Sequence, residues 1–170
     1  MSEVESTHSY VDVVQASERR LLRLGVMLTG NEHTAEDLVQ TVLARAHRKW
    51  VRISGLERPE AYLRRMVLNE FLSWRRLLKN KEVLLAEPID RPTYDDIGPR
   101  QAQRDAIWQL LARLPRKQRA VMVLRYYEDL PDAEIAELLG VAAATVRSNA
   151  ARALSTLRQY LTAEEANGHA

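Results

Sequence analysis

Cysteine is missing from all 170 residues. That excludes a disulfide framework and any thiolate metal centre, and it agrees with a reducing compartment. Glycine is scarce at six residues, and none falls in a phosphate-cradling loop; HExxH and a nucleophile paired with a base are missing too. No apolar run approaches the roughly 20 residues needed to span a bilayer. The opening MSEVESTHSY lacks the basic-then-apolar order of a signal peptide, so a soluble cytoplasmic protein without membrane association is expected. Strand signals are also lacking, with no sustained alternation and no Asn-Gly hairpin. The expected fold is all-α.

What is present is helical periodicity and strongly segregated charge. The net charge is only +2, yet residues 45–81 hold eleven Lys/Arg against three Asp/Glu. Residues 1–44 hold three against seven, and residues 82–106 three against six. A basic block between acidic ones points to a surface for a polyanion.

A first helix is expected over about 9–29, stopped by Gly30-Asn31. A second starts near Thr34, read as its cap with Asp37 three residues on. Its apolar face is Leu38, Val39, Val42, Leu43, Ala46 and Trp50; Asp37, Gln40, Thr41, Ala44 and Arg48 take the other side. A loop over Val51–Arg58 leads to a third helix with Pro59 at its start. There Leu63, Met66, Val67, Phe71, Trp74 and Leu78 form the buried face, and Arg65, Asn69, Ser73 and Arg76 a polar stripe opposite.

Between Glu82 and Gln103 the pattern collapses around Pro88, Pro92, Gly98 and Pro99 among several acids, as expected of a flexible linker. Its relaxed span would be roughly 25 Å. Two small helical domains follow from that break. The second begins near Arg104 with Ile107, Leu110, Leu111 and Leu114 as core. A helix over 116–128 comes next, then a compact pair at 132–139 and 143–161, with 162–170 as a frayed tail.

That last pair has the marks of a helix-turn-helix. Ala136 is small where the partner helix must come close, Gly140 supplies a cheap positive φ at the turn, and Ile135, Leu139, Val141 and Val146 hold the two together. The final helix carries Val146, Ala150, Ala153, Leu154, Leu157 and Leu161 at its back, with Arg147, Ser148, Ala151, Arg152 and Ser155 at its front. Short and basic residues on such a front fit the major groove. Arg147 and Arg152 could read guanine or hold phosphate, and Thr145 could contact phosphate or cap the helix.

The stripe on the third helix suits single strands as well, because an extruded base costs a few kcal/mol and needs a compensating pocket, which the adjoining 51–58 loop could form. Trp74 and Trp50 both project onto apolar faces and are read as core. The only metal-like cluster is Glu32, His33, Glu36 and Asp37. Acids at a helix start complement its dipole, and no second histidine completes a ligand set. Neither metal, cofactor nor catalysis is expected.

The chain resembles sigma factors of the extracytoplasmic-function class, over roughly residues 15–161. AEDLVQTVLARAHRKW (35–50) is similar to the family's polymerase-clamp-binding helix, which implies core-polymerase contact at Asp37, Leu38, Val39, Gln40 and Thr41. RPEAYLRRMVLNEFLSWRR (58–76) resembles the region that opens and reads the minus-ten element, implying contact with the melted non-template strand at Arg64, Arg65, Asn69, Ser73 and Arg76. LPRKQRAVMVLRYYEDLPDAEIAELLGV with TVRSNAARALSTLR resembles the domain that reads the minus-thirty-five duplex, implying Thr145, Arg147, Ser148, Ala151 and Arg152. Ser73-Trp74 before two arginines is most similar to the sigma-E-like actinobacterial group.

The resemblance implies region 2 over 9–81, a linker over 82–103, region 4 over 104–161 and a tail over 162–170. RNA polymerase core, promoter DNA and an anti-sigma factor are the candidate partners. Ser73 stands where many relatives carry aspartate, and Asn149 and Ala150 where arginine and a larger aliphatic are common. The alternative is a conventional helix-turn-helix regulator with a helical N-terminal sensor domain, which would need no second nucleic-acid surface.

Overall fold

The computed structural model describes residues 9–73 and 99–168, with side chains from residue 106 in the second stretch. Trp74, Arg76, Leu78 and residues 82–98 of the expected 82–103 linker lie outside the described residues. Two compact units divide the chain, within residues 1–87 and 88–170. Every regular element among the described residues is helical.

In the first unit α1 (Tyr10–Thr29), α2 (Glu32–Arg48) and α4 (Pro59–Ser73) pack pairwise into a three-helix bundle, with the short α3 (Trp50–Ser54) between the last two. Gly30 ends α1 in the left-handed region at φ 72, and its N–H donates to the Val26 carbonyl. Glycine adopts that conformation without a Cβ penalty. The next residue, Asn31, caps α2 by accepting the Thr34 N–H at 2.8 Å. The expected cap was Thr34; asparagine wins because the helix begins two residues earlier, where a short carbonyl side chain reaches the third N–H.

Leu21, Leu24 and Leu28 of α1 meet Leu38, Val39, Val42 and Ala46 of α2 and Leu63, Val67, Leu68 and Phe71 of α4 in the core. Met66, expected there, is only half-buried, and Leu68 replaces it. Each fully buried Leu or Phe stabilises the bundle by about 1.5–3 kcal/mol relative to exposure. Tyr10 locks the open end. Its hydroxyl donates to the Leu43 carbonyl at 3.1 Å, and its ring meets His47 and Trp50 edge-on with centroids 4.8 and 5.2 Å away. Trp50 is half-buried and opens α3 rather than closing α2. The expected 51–58 loop is thus partly helical, with Ile53 and Ser54 buried and Val51 exposed.

The second unit holds α5 (Pro99–Ala112), α6 (Arg116–Met122), a wider π turn (Val123–Tyr127), α7 (Asp132–Leu139) and α8 (Ala143–Gly168). The helix begins at Pro99, inside the expected linker. Proline was read there as a breaker, but at the first helical position its missing N–H has no partner to lose. Ile107, expected in the core, is exposed, whereas Leu111 and Leu114 are buried. At the far end α8 continues through the expected tail to Gly168. Arg113 stacks over the Tyr160 ring at 5.0 Å and pairs with Glu164 at 3.2 Å, which ties that extension back to the end of α5. Leu161, expected in the core, is 47% exposed.

Arg119 is the buried cation that organises this unit. Its guanidinium donates to the carbonyls of Ala112 and Leu114 at 2.8 and 2.9 Å, where α5 ends and leaves acceptors unpaired. Burial, and secondarily the neighbouring Arg116, lower its pKa to about 10.

Candidate nucleic-acid interface

The turn between α7 and α8 is a Schellman motif. Val141 N–H donates to the Ala136 carbonyl at 3.0 Å, Gly140 N–H to Glu137 at 3.3 Å, and Gly140 sits at φ 65. Ile135 and Ala136 of α7 and Val146, Ala150 and Ala153 of α8 are buried, α8 packing on both α6 and α7, with Leu139 and Val141 half-buried at the turn. Arg125 anchors the start of α7 by donating to Asp132 at 2.8 Å from the π turn.

With its back packed, α8 presents Ala144, Thr145, Arg147, Ser148, Ala151, Arg152 and Ser155 to solvent. Thr145 is the third residue of the helix, so it is not the cap: α8 starts after Ala142, whose carbonyl accepts from Thr145 and Val146. Asn149 turns back instead of outward and donates from Nδ2 to the Thr145 carbonyl at 3.0 Å. Ser148 donates to the same carbonyl at 3.1 Å.

On α4, Arg65, Asn69 and Ser73 are all exposed and succeed one another every four residues. Such spacing puts them on one stripe. Glu70, next to Asn69, forms an ion pair with Arg45 of α2 and so fixes how the stripe is turned relative to that helix. Arg64 departs from the expectation. At 100° per residue it falls on the arc of Leu68 and Phe71, and it is half-buried with Nε enclosed.

On α2 the face made by Asp37, Gln40, Ala44 and Arg48 is exposed and Thr41 half-exposed. Leu38 and Val39, predicted as partner contacts alongside them, are at 0% exposure. They are core residues, and their burial is what turns Asp37 and Gln40 outward. Thr41 donates its hydroxyl to the Asp37 carbonyl at 2.8 Å. His33 and Asp37 approach to 3.9 Å as an exposed pair one helical turn apart.

Sequence reasoning missed Arg119 with the carbonyls of Ala112 and Leu114, Arg125–Asp132 and Arg45–Glu70, because each joins one helical element to the next across a turn or loop, which helical periodicity does not register. Gly25 was missed as well, although a glycine in the middle of a well-formed helix is itself a signal of close approach.

A helix-turn-helix with a basic front, joined in one chain to a bundle with a second polar and cationic stripe, defines a DNA-binding protein of two all-α domains. Residues 13–80 match Sigma-70 region 2, and residues 104–157 match Sigma-70 region 4. The RNA polymerase sigma-E factor of Streptomyces coelicolor is 36% identical over 161 residues, covering 95% of this chain and 90% of that one. The ECF RNA polymerase sigma factor SigE of Mycolicibacterium smegmatis is 35% identical, covering 90% of this chain and 62% of that one. Among solved structures, the sigma factor RpoE in complex with the anti-sigma factor NepR, from Bartonella quintana, shares the fold. Its TM-score is 0.68 at 22% identity, over 90% of this chain and 96% of that one.

The chain belongs to the sigma-70 family, as a sigma factor of the extracytoplasmic-function class. Its function is to join bacterial RNA polymerase core and direct promoter-specific initiation of transcription. The region 2 match removes the alternative of a regulator with a sensor domain. No helix among the described residues is long and apolar enough to cross a membrane.

Proposed function

We propose that three exposed faces divide the work of this sigma factor. The α2 face with Asp37, Gln40 and Thr41 docks to core polymerase. The α4 stripe of Arg65, Asn69 and Ser73, continued in sequence by Arg76, holds the melted non-template strand of the minus-ten element. The α8 front of Thr145, Arg147, Ser148, Ala151 and Arg152 lies in the minus-thirty-five duplex. Arg64 steadies α4 from its packed side. The observation that carries this reading is the exposure of Arg65, Asn69 and Ser73 together on one helix and of Arg147, Ser148 and Arg152 together on another.

The two DNA-facing modules have different physical tasks. Duplex readout needs an α-helix narrow enough at its front to enter a groove about 12 Å wide. Holding unstacked bases needs donors along a strand, with several kcal/mol of stacking to replace. Carrying both on one chain raises the effective concentration of each once the other is bound. The polymerase supplies the chemistry of RNA synthesis, and this chain contributes recognition without catalysis of its own. It works in the cytoplasm, and an anti-sigma factor is a candidate regulator, as in the complexes of RpoE with NepR and of CnrH with CnrY.

Run-off transcription with core polymerase on a genomic promoter library tests the assignment. The full chain should redirect initiation to a defined promoter set, and charge reversal on any of the three faces should abolish it. Unaltered start sites with the wild-type chain would sink the reading.

A further inference from the structure

The outer face of α1 carries two arginines that no other described residue neutralises. Leu21, Leu24 and Leu28 turn inward onto α2 and α4. At 100° per residue, Arg19 points almost directly away from that arc. Arg23 follows one turn on, about 40° round and about 6 Å along the axis. Both are exposed, as is Arg20 between them, and among the described residues neither Arg19 nor Arg23 is bound to a carboxylate. The face closes just beyond, where Val26 and Met27 are only 2% and 8% exposed.

Surface charge ordinarily solvates a helix and laces it with pairs of opposite sign three or four residues apart. No such pairing is open to these arginines. The positions three and four away from Arg19 are Gln15, Ala16, Leu22 and Arg23; from Arg23 they are Arg19, Arg20, Val26 and Met27. Not one is acidic, and Arg19–Arg23 is a like-charge pair that weakens the helix. Elsewhere the chain joins its arginines to acids across elements, Arg45 to Glu70, Arg113 to Glu164 and Arg125 to Asp132. Repulsion kept at one place is relieved when an anion binds there.

A guanidinium fork matches two oxygens of a phosphate, which an ammonium group cannot do. Of the two macromolecules this chain joins, promoter DNA is the one that is anionic along its whole length. We propose that Arg19 and Arg23, with Arg20 beside them, form a further DNA contact of this chain: a clamp on two phosphates of the promoter backbone that reads no base. Such contacts hold a protein in register and carry no sequence information. The clamp lies on the side of α1 turned away from α2 and α4, and its role stands apart from those given to α2, α4 and α8.

The absence of cysteine makes a direct test available. Ala16 is exposed, three and four residues before Arg19 and Arg20. Ala16→Cys is labelled with an aryl azide before the full chain is assembled with core polymerase. On a promoter that the wild-type chain selects, irradiation should join the label to DNA. Attachment to polymerase subunits alone, or to nothing, would overturn the proposal.

Affinity then measures the charge. Arg19→Ala combined with Arg23→Ala should lower the slope of log affinity against log salt by about 1.4–1.8, the value for two phosphates. The loss should be equal on every promoter tested, with start sites unchanged and co-purification with core polymerase as in wild type. Arg19→Lys combined with Arg23→Lys should keep the wild-type slope. A wild-type slope in the alanine pair, or a loss confined to some promoters, would contradict a phosphate clamp. Reduced co-purification with the slope unaltered would assign the face to a protein partner and overturn it too. Thermal unfolding of the alanine pair should be no lower than that of wild type, since both side chains are exposed and repel each other.

Discussion

A methyl group built on Gly25 would stand 3.1 Å from Cβ of Ala35, at the crossing of α1 and α2. That is tighter than ordinary van der Waals contact, and both residues are buried. Gly25→Val should therefore lower stability by about 1–3 kcal/mol through overpacking, despite valine's better helix propensity than glycine's. Ala35→Gly should recover part of the loss by restoring room. Urea midpoints of the two single variants and the double variant check this; additive losses in the double would rule out the steric contact.

Asp37 and Leu38 are neighbours in sequence with opposite fates, the first exposed and the second buried. Asp37→Arg should keep the wild-type melting curve and lose co-purification with core polymerase. Leu38→Ala should instead destabilise the bundle by about 2–5 kcal/mol and bind polymerase in proportion to the fraction still folded. Retained co-purification by Asp37→Arg would remove α2 from the docking surface.

Asn69→Ala should reduce promoter opening by more than it reduces closed-complex formation, because the exposed amide is assigned to melted rather than paired bases. Permanganate footprinting of unpaired thymines, set beside gel-shift affinity for the closed complex, separates the two. Equal losses in both would count against a single-strand role. The side chain is exposed, so stability should change by no more than about 0.5 kcal/mol.

Gly140→Ala should cost about 1–2 kcal/mol. Nothing lies within 4 Å of the added Cβ, so the whole penalty is the left-handed backbone at φ 65. Asn at the same position should cost less, as it tolerates that region better. Thermal unfolding of the intact chain measures both, and a loss in Gly140→Asn as large as in Gly140→Ala would contradict a purely conformational cause.

The helices and their solvent faces were legible because periodicity is a one-dimensional signal. Leu38, Val42 and Ala46 on one side of α2, and Arg65, Asn69 and Ser73 on one side of α4, follow from the 3.6-residue repeat. The errors fell at ends and neighbours. Pro99 was taken for a breaker when it opens a helix, and residues 162–168 for a frayed end when Arg113 holds Tyr160 and Glu164. A residue type gives its preference, but these outcomes depended on a partner elsewhere in the chain or on which way a helix was rolled.

The amino-acid order alone determined that the chain is all-helical, that it makes two domains, and that its cations gather on particular helices. It also settled the turn at Gly140, since a left-handed residue there favours glycine. Only the tertiary structure decided which members of each motif face outward. It buried Leu38 and Val39, paired Arg45 with Glu70, and laid Tyr160 and Glu164 against Arg113. The physical reason is that a side chain's environment is a sum over contacts distant in sequence, whereas helix formation depends on residues within a turn or two.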